Sequence, residues 1–121
     1  NQELILQIAG PDFGEKSKLD KLITDLKIPL DKIEFLGNVQ GNEKINFLLR
    51  SHLHVVPSIR EAMSIVAIEA ALISSAEILV TNECGIKELN EISQFFTYCD
   101  ANVTDLANKM NFILNLEKNN K

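Results

Sequence analysis

The chain has 121 residues, of which 45% are hydrophobic and 24% are charged, values typical of one soluble globular domain. Its formal net charge of −5 argues against broad nucleic-acid affinity, because binding to phosphates needs a positive surface that displaces counterions. No apolar run approaches the roughly 20 residues of a membrane-spanning helix. The two cysteines fit no zinc spacing and no disulfide framework, so a reducing cytoplasm is the expected location.

Strand-like apolar runs alternate with helix-period runs along nearly the whole chain. The first strand is predicted over Leu4–Ala9, and the first helix follows from apolar residues repeating between 19 and 26. Further strands are predicted at 33–36, 53–56, 78–81 and 95–98, with further helices around 45–49, 63–73, 86–92 and 106–114. This alternation indicates a parallel α/β sheet that helices cover on both faces. The domain is predicted to span residues 1–116, with a frayed tail at 117–121.

Two glutamates flank the junction between the third predicted strand and the helix after it. Glu61 stands just beyond the Pro57-Ser58 turn, and Glu69 lies roughly two helical turns further on, at about 1.5 Å rise per residue. In an open parallel sheet, the ligand crevice lies where the carboxyl end of a strand meets the next helix. The helix dipole alone would favour an acid in a first turn, but the segment between these two is strongly apolar. The pair therefore indicates a ligand site.

Four segments together resemble the C-terminal, donor-binding half of a GT-B glycosyltransferase of family 4, the large retaining group that includes glycogen and sucrose synthases. The segments are Ile8-Ala9-Gly10-Pro11-Asp12, Phe35-Leu36-Gly37-Asn38-Val39, Val55-Val56-Pro57-Ser58 with Glu61 to Glu69, and Thr81-Asn82-Glu83-Cys84-Gly85-Ile86-Lys87-Glu88-Leu89. Two acids at this spacing are a weak pattern alone. The same two acids are a much more specific sign of this family when they follow a strand and Pro-Ser and precede a strand with Thr-x3-Gly-x2-Glu. The resemblance implies a Rossmann-like, doubly wound parallel sheet.

The resemblance also implies a role for each residue around the junction. Glu69 would accept hydrogen bonds from two ribose hydroxyls of a nucleoside diphosphate sugar, since a carboxylate offers two oxygens. Glu61, the catalytic candidate, would contact the transferred sugar and help to position its anomeric carbon. The backbone N–H groups of Ser64, Ile65 and Val66 would face the sugar and the diphosphate. Unpaired amides at a helix start suit an anion on physical grounds as well.

Backbone groups earlier in the chain would complete the donor site. The resemblance places Gly37, Asn38 and Val39 beside the nucleobase, to which they would make main-chain hydrogen bonds. Gly10 would clear space near the site, because glycine lets a ligand approach the backbone closely. Both glycines are equally explained as ordinary turn residues at strand ends.

Several positions depart from the usual pattern of that family. Met63-Ser64 stands where members usually carry Phe-Gly, and Lys87 stands where proline is common. The stretch 72–77 has neither the glycine nor the proline of a usual Gly-x-Pro turn. These departures support an alternative, a degenerate, non-catalytic GT-B domain that acts as a scaffold or interaction module. A second alternative is a phosphorylated-response or flavodoxin-like domain, which needs an acidic cluster after the first strand, where Asp12 stands alone.

The family's C-terminal half opens with a strand and a basic pair that neutralises the donor diphosphate, and this chain begins one strand–helix unit later. In the doubly wound order that strand is central, between the strands at Leu4 and Leu53. A sheet without it exposes two unpaired edges, through which self-association is expected. The domain would then be completed by a longer protein or by another chain.

The expected function is donor binding in a retaining glycosyltransferase that moves a sugar from a nucleoside diphosphate sugar to an unknown acceptor. The resemblance implies no cofactor and no metal, and the sequence has no Asp-x-Asp cluster of the metal-dependent enzymes. The acceptor would bind to an N-terminal half outside this chain, and any peripheral membrane contact would come from such absent regions. This chain alone is expected to be inactive.

Overall fold

A computed structural model of the chain describes residues 4–61, 63–89 and 92–119, with the backbone alone for 117–119. Within these ranges, parallel strands alternate with helices, which confirms the predicted α/β class. The strands are β1 (Leu6–Ala9), β2 (Ile33–Gly37), β3 (Leu53–Val56), β4 (Glu77–Thr81) and β5 (Thr97–Cys99). The helices are α1 (Lys16–Asp25), α2 (Gly41–Arg50), α3 (Ile65–Ile73) and α4 (Val103–Asn119).

The strands pair in two parallel sheets. The first sheet consists of β1 and β2, and the second has the order β3-β4-β5. In the doubly wound order 3-2-1-4-5-6, the numbers give the order of the strands along the chain. Strand 2 therefore pairs with strand 3, strand 4 with strand 5, and strand 5 with strand 6. The observed pairings are therefore those of a Rossmann-like sheet, as in the C-terminal half of a GT-B fold.

The chain divides into two compact units, with the boundary between Lys44 and Ile45 inside α2. The first unit contains the sheet of β1 and β2 together with α1. Of its described residues, Ile23 on the inner face of α1 is the one that is buried.

The second unit contains a well-packed core around β4. Ile78 and Val80 point to one face, where their partners include Leu48 of α2 and Ala67 and Ala70 of α3. On the opposite face, Leu79 packs against Cys99 and Ile113. Because successive side chains of a strand point to opposite faces, a strand covered on both sides must be apolar throughout. This is the physical reason for the apolar run at 78–80 in the middle of β4.

Some element boundaries differ from those predicted. The last strand was expected at 95–98, but Ser93–Phe95 form a 3₁₀ turn and β5 begins at Thr97, where it pairs with Leu79. Another 3₁₀ turn, Gly85–Glu88, occupies the start of the helix predicted at 86–92, of which residues 90–91 lie outside the described residues.

At the C-terminus, α4 continues to Asn119, so residues 117–119 have a helical backbone where the sequence predicted a frayed tail. Residues 120–121 lie outside the described residues, and the domain boundary at 116 stays a prediction. None of the helices in the described part of the chain is both long and apolar enough to cross a membrane.

Candidate functional site

The main chain of Glu61 is fixed at the carboxyl ends of β3 and β4. It forms an isolated parallel bridge with Cys84, outside the named strands. The N–H of Glu61 donates to the carbonyl of Glu83 at 3.3 Å, and the N–H of Gly85 donates to the carbonyl of Glu61 at 2.7 Å. These two bonds tie the segment after β3 to the segment after β4. Glu61 therefore belongs to the rim of the second sheet and not to a separate surface loop.

The carboxylate of Glu61 is half-buried and has a local hydrogen-bond donor. Ser58 Oγ donates to Glu61 Oε1 at 3.2 Å. The carbonyl of Ser58 in turn accepts a hydrogen bond from the hydroxyl of Thr81, which is buried at the end of β4. A chain of two hydrogen bonds thus runs from the sheet to the carboxylate.

Helix α3 begins at Ile65 because Ser64 caps it. Ser64 is 3% exposed, its backbone is extended, and its hydroxyl oxygen accepts a hydrogen bond from the N–H of Ala67 at 3.1 Å. Serine is among the favoured residues at this position for that reason. The resemblance assigns the N–H groups of Ser64, Ile65 and Val66 to the donor, and these groups bond to no other described residue. They carry the positive end of the helix dipole.

Glu69 lies in the middle of α3 and is half-buried. Its Oε1 atom has less than 1 Å² of exposed surface. The neighbouring Ala67 and Ala70 are at most 1% exposed, so Glu69 lies beside the face of α3 that packs on the core. This environment differs from that of a fully solvated surface acid.

The predicted nucleobase contacts lie in the first unit, at the ends of β1 and β2. The N–H of Gly10 donates to the carbonyl of Gly37 at 2.7 Å and so joins the two strand ends. Gly37 has a φ of +69° and Gly10 a φ of +142°, which side chains rarely adopt. Among the described residues, no heavy atom beyond the glycine itself and its two chain neighbours lies within 4 Å of where a Cβ would stand on either glycine. The positive φ values account for glycine at both positions, and the space beside them is open. Of the other two predicted base contacts, Asn38 is exposed and Val39 is half-buried.

The predicted site residues therefore form two groups, one in each compact unit. Gly10, Gly37, Asn38 and Val39 belong to the first, and Glu61, Ser64, Ile65, Val66 and Glu69 to the second. Sequence reasoning missed the contribution of Ser58 and Thr81. The signal for Ser58 was its position three residues before Glu61, a spacing at which a turn brings side chains together.

Lys87, which stands where proline is common in the family, takes part in a polar network beside the site. Its Nζ donates to Asn82 Oδ1 at 2.8 Å and lies 5.3 Å from the ring centre of Tyr98. Asn82 Nδ2 donates to Asp100 Oδ1 at 2.9 Å. The lysine therefore links the segments that follow β4 and β5.

Other titratable groups have structural surroundings. Asp12 accepts hydrogen bonds from the N–H groups of Gly14 at 2.8 Å and Lys16 at 3.2 Å, and these bonds lower the pKa of its carboxyl. Asp12 thus organises the start of α1, which disfavours a phosphoacceptor role. His54 is buried with Nε2 at 3.1 Å from the carbonyl of Leu48, and burial lowers the pKa of the imidazole. Burial likewise raises the pKa of the Cys99 thiol.

Within residues 4–61, 63–89 and 92–119, no three His, Cys, Asp or Glu side chains are grouped as metal ligands would be. The described fold and the rim of its second sheet are those of a Rossmann-like domain of the GT-B class. The sequence profile of the family described as Glycosyl transferases group 1 matches residues 1–121, and the chain belongs to this family. Membership implies glycosyl transfer from a nucleotide sugar. A search of curated proteins gives no significant match.

Proposed function

We propose that this chain is the donor-binding half of a retaining glycosyltransferase that moves a sugar from a nucleoside diphosphate sugar to an acceptor. The observation that carries the proposal is the position of Glu61. Its main chain is bonded to the segment after β4, and the amides that open α3 follow a few residues later. A carboxylate and an anion-binding helix start therefore lie at the sheet edge where α/β folds bind ligands.

In the proposed site, each acid has a separate task. Glu61 contacts hydroxyls of the transferred sugar and positions the anomeric carbon. Glu69 accepts hydrogen bonds from two ribose hydroxyls, because a carboxylate offers two oxygens. The amides of Ile65 and Val66 stabilise charge on the leaving diphosphate, which is where charge develops during transfer. The base contacts predicted for Gly37, Asn38 and Val39 belong to the first unit and stay a prediction.

The proposal is tested by titrating the full-length protein with uridine and guanosine diphosphate sugars. Glu69→Ala should weaken binding of the preferred nucleotide by roughly ten- to hundredfold, because it removes hydrogen bonds to a charged group. Glu77→Ala is the matched control, since Glu77 is exposed at the opposite end of β4 from Thr81. Absence of nucleotide binding, or equal affinity of both variants, contradicts the proposal.

A non-catalytic GT-B domain is the second candidate, and the surroundings of Ser64 and Lys87 favour it. Both residues replace usual family residues, and both are held by structural hydrogen bonds. This candidate predicts that the full-length protein binds donor without releasing nucleoside diphosphate. Release that depends on Glu61, measured by a coupled assay, excludes it.

The strand pairings also support a proposal about partners. Among the described residues, β4 pairs with two strands, whereas the four other strands, β1, β2, β3 and β5, each pair with one. We expect another part of a longer protein to cover these edges, and the isolated chain to self-associate or to be poorly stable. A sharp monomer peak in size-exclusion chromatography with a cooperative melt contradicts this. A cytoplasmic location, absence of metal dependence and an N-terminal acceptor half stay predictions.

A further inference from the structure

The turn that carries Glu61 is held by side chains as well as by its backbone. Thr81, the last residue of β4, is 2% exposed, and a buried hydroxyl needs a hydrogen-bond partner. Its partner is the carbonyl of Ser58, 23 positions earlier in the sequence and just beyond the end of β3. Because β3 and β4 are adjacent parallel strands with Val56 opposite Val80, this bond joins two neighbouring strand ends.

Ser58 connects the hydrogen bond from Thr81 to the side chain of Glu61. Its peptide is fixed by Thr81, and its hydroxyl donates to Glu61 Oε1 at 3.2 Å. In the described part of the chain, no other group donates a hydrogen bond to the Glu61 carboxylate. One oxygen is therefore held by the protein, and the other is left for a ligand, since each carboxylate oxygen can accept separately.

We propose that Ser58 and Thr81 are positioning residues that hold the carboxylate plane of Glu61 toward the donor sugar. The inference rests on the proposed function, in which Glu61 contacts that sugar. A glutamate side chain has three rotatable bonds, so a carboxylate without local support loses rotamer freedom when the sugar binds. A carboxylate already oriented by Ser58 avoids that loss, which is the general benefit of a site organised before binding.

Binding measurements on the full-length protein separate positioning from general structural support. For each variant, affinity is measured for uridine and guanosine diphosphate sugars and for uridine and guanosine diphosphate. Glu61 is assigned to the sugar alone, so Glu61→Ala should weaken binding of the sugar nucleotide and leave that of the nucleoside diphosphate unchanged. Ser58→Ala should act in the same selective way, with a sugar-nucleotide affinity about five- to tenfold lower.

Three further variants complete the design. Ser58→Thr keeps the hydroxyl and should retain nearly full affinity. Thr81→Val removes the buried hydroxyl at nearly constant shape and should reproduce the selective loss, whereas Ser74→Ala should bind both ligands normally. Ser74 is the matched control, because its hydroxyl oxygen accepts a local hydrogen bond from the N–H of Ala76, away from this turn.

The double variant Ser58→Ala/Glu61→Ala provides the decisive comparison. If Ser58 acts through Glu61, the double variant should bind the sugar nucleotide as weakly as Glu61→Ala alone. Additive losses, or an equal loss of affinity for nucleoside diphosphate, overturn the positioning role. If Ser58→Ala binds the sugar nucleotide with unchanged affinity while Glu61→Ala loses affinity, the positioning role is overturned and the proposed function stands. An unaffected Glu61→Ala variant, or no binding by the unaltered protein, overturns both.

Discussion

The strands β1 and β4 have similarly apolar sequences but very different surroundings. Leu6 of β1 is 48% exposed, whereas Leu79 of β4 is 0% exposed. β4 pairs with a strand on each side and is covered on both faces, while β1 pairs with β2 alone among the described residues. The difference shows that hydrophobicity makes a strand suitable for burial, but neighbours decide whether it is buried. The glutamates of the candidate site lie in the unit that has such a core.

The largest effect should come from the core of the second unit. Leu79→Ala removes a fully buried side chain and should lower the free energy of unfolding by about 2–5 kcal/mol. Leu6→Ala should cost less than about 1 kcal/mol, because its side chain is already half exposed. Urea denaturation followed by circular dichroism measures both. Equal losses for the two variants would show that the two strands are buried alike in solution.

The next effect concerns the turn at the end of β2. Gly37→Ala places a side chain at a φ of +69° and should destabilise by about 1–2 kcal/mol, although the surrounding space is open. Gly37→Asn should cost less, since asparagine tolerates this backbone conformation better than alanine. Thermal unfolding compares the two variants. If alanine and asparagine are equally destabilising, crowding and not backbone conformation limits this position.

A smaller effect is expected at the start of α3. Ser64→Ala removes the cap and should cost about 1 kcal/mol, whereas Ser64→Gly should cost only a few tenths. Denaturant midpoints of the two variants and the unaltered protein test the ranking, and a larger loss for glycine would contradict the capping role.

Acid should weaken the two units in different pH ranges. Burial lowers the pKa of His54, so the unfolded chain takes up a proton first as the pH falls below about 6.5, and stability falls with it. Hydrogen bonds from backbone N–H groups lower the pKa of Asp12, and its contribution is lost only as the pH falls below about 3.8. Unfolding free energies of the unaltered protein and His54→Gln between pH 8 and pH 5 test the first effect. An identical pH dependence in both proteins would contradict it.

The overall order of elements could be read from the sequence, because strand and helix periods differ and the apolar runs of this chain are clear. The exceptions lie between β4 and β5, where the segment around Phe95 is apolar yet forms a turn. Phe96 is buried there, and Tyr98 donates from its hydroxyl to the carbonyl of Ser93 at 2.9 Å. The apolar content of this segment could not distinguish a turn from a strand, because tertiary contacts such as the burial of Phe96 determine which one forms.

For the candidate site, the local pattern predicted that Glu61 follows a strand and that Glu69 lies inside the next helix, and both positions are observed, whereas the roles of the two acids stay predictions. It could not show that Thr81 contacts Ser58, because those residues are brought together only when β3 and β4 pair. The spacing of apolar residues, turn residues and acids is local information, and it was sufficient for the fold class, the family resemblance and the candidate acids. Burial of Glu69 and the hydrogen bond from Thr81 to Ser58 depend on which segments pack together, and the folded chain alone establishes them. The cap is different, because Ser64 accepts its hydrogen bond from the N–H of Ala67 only three residues away.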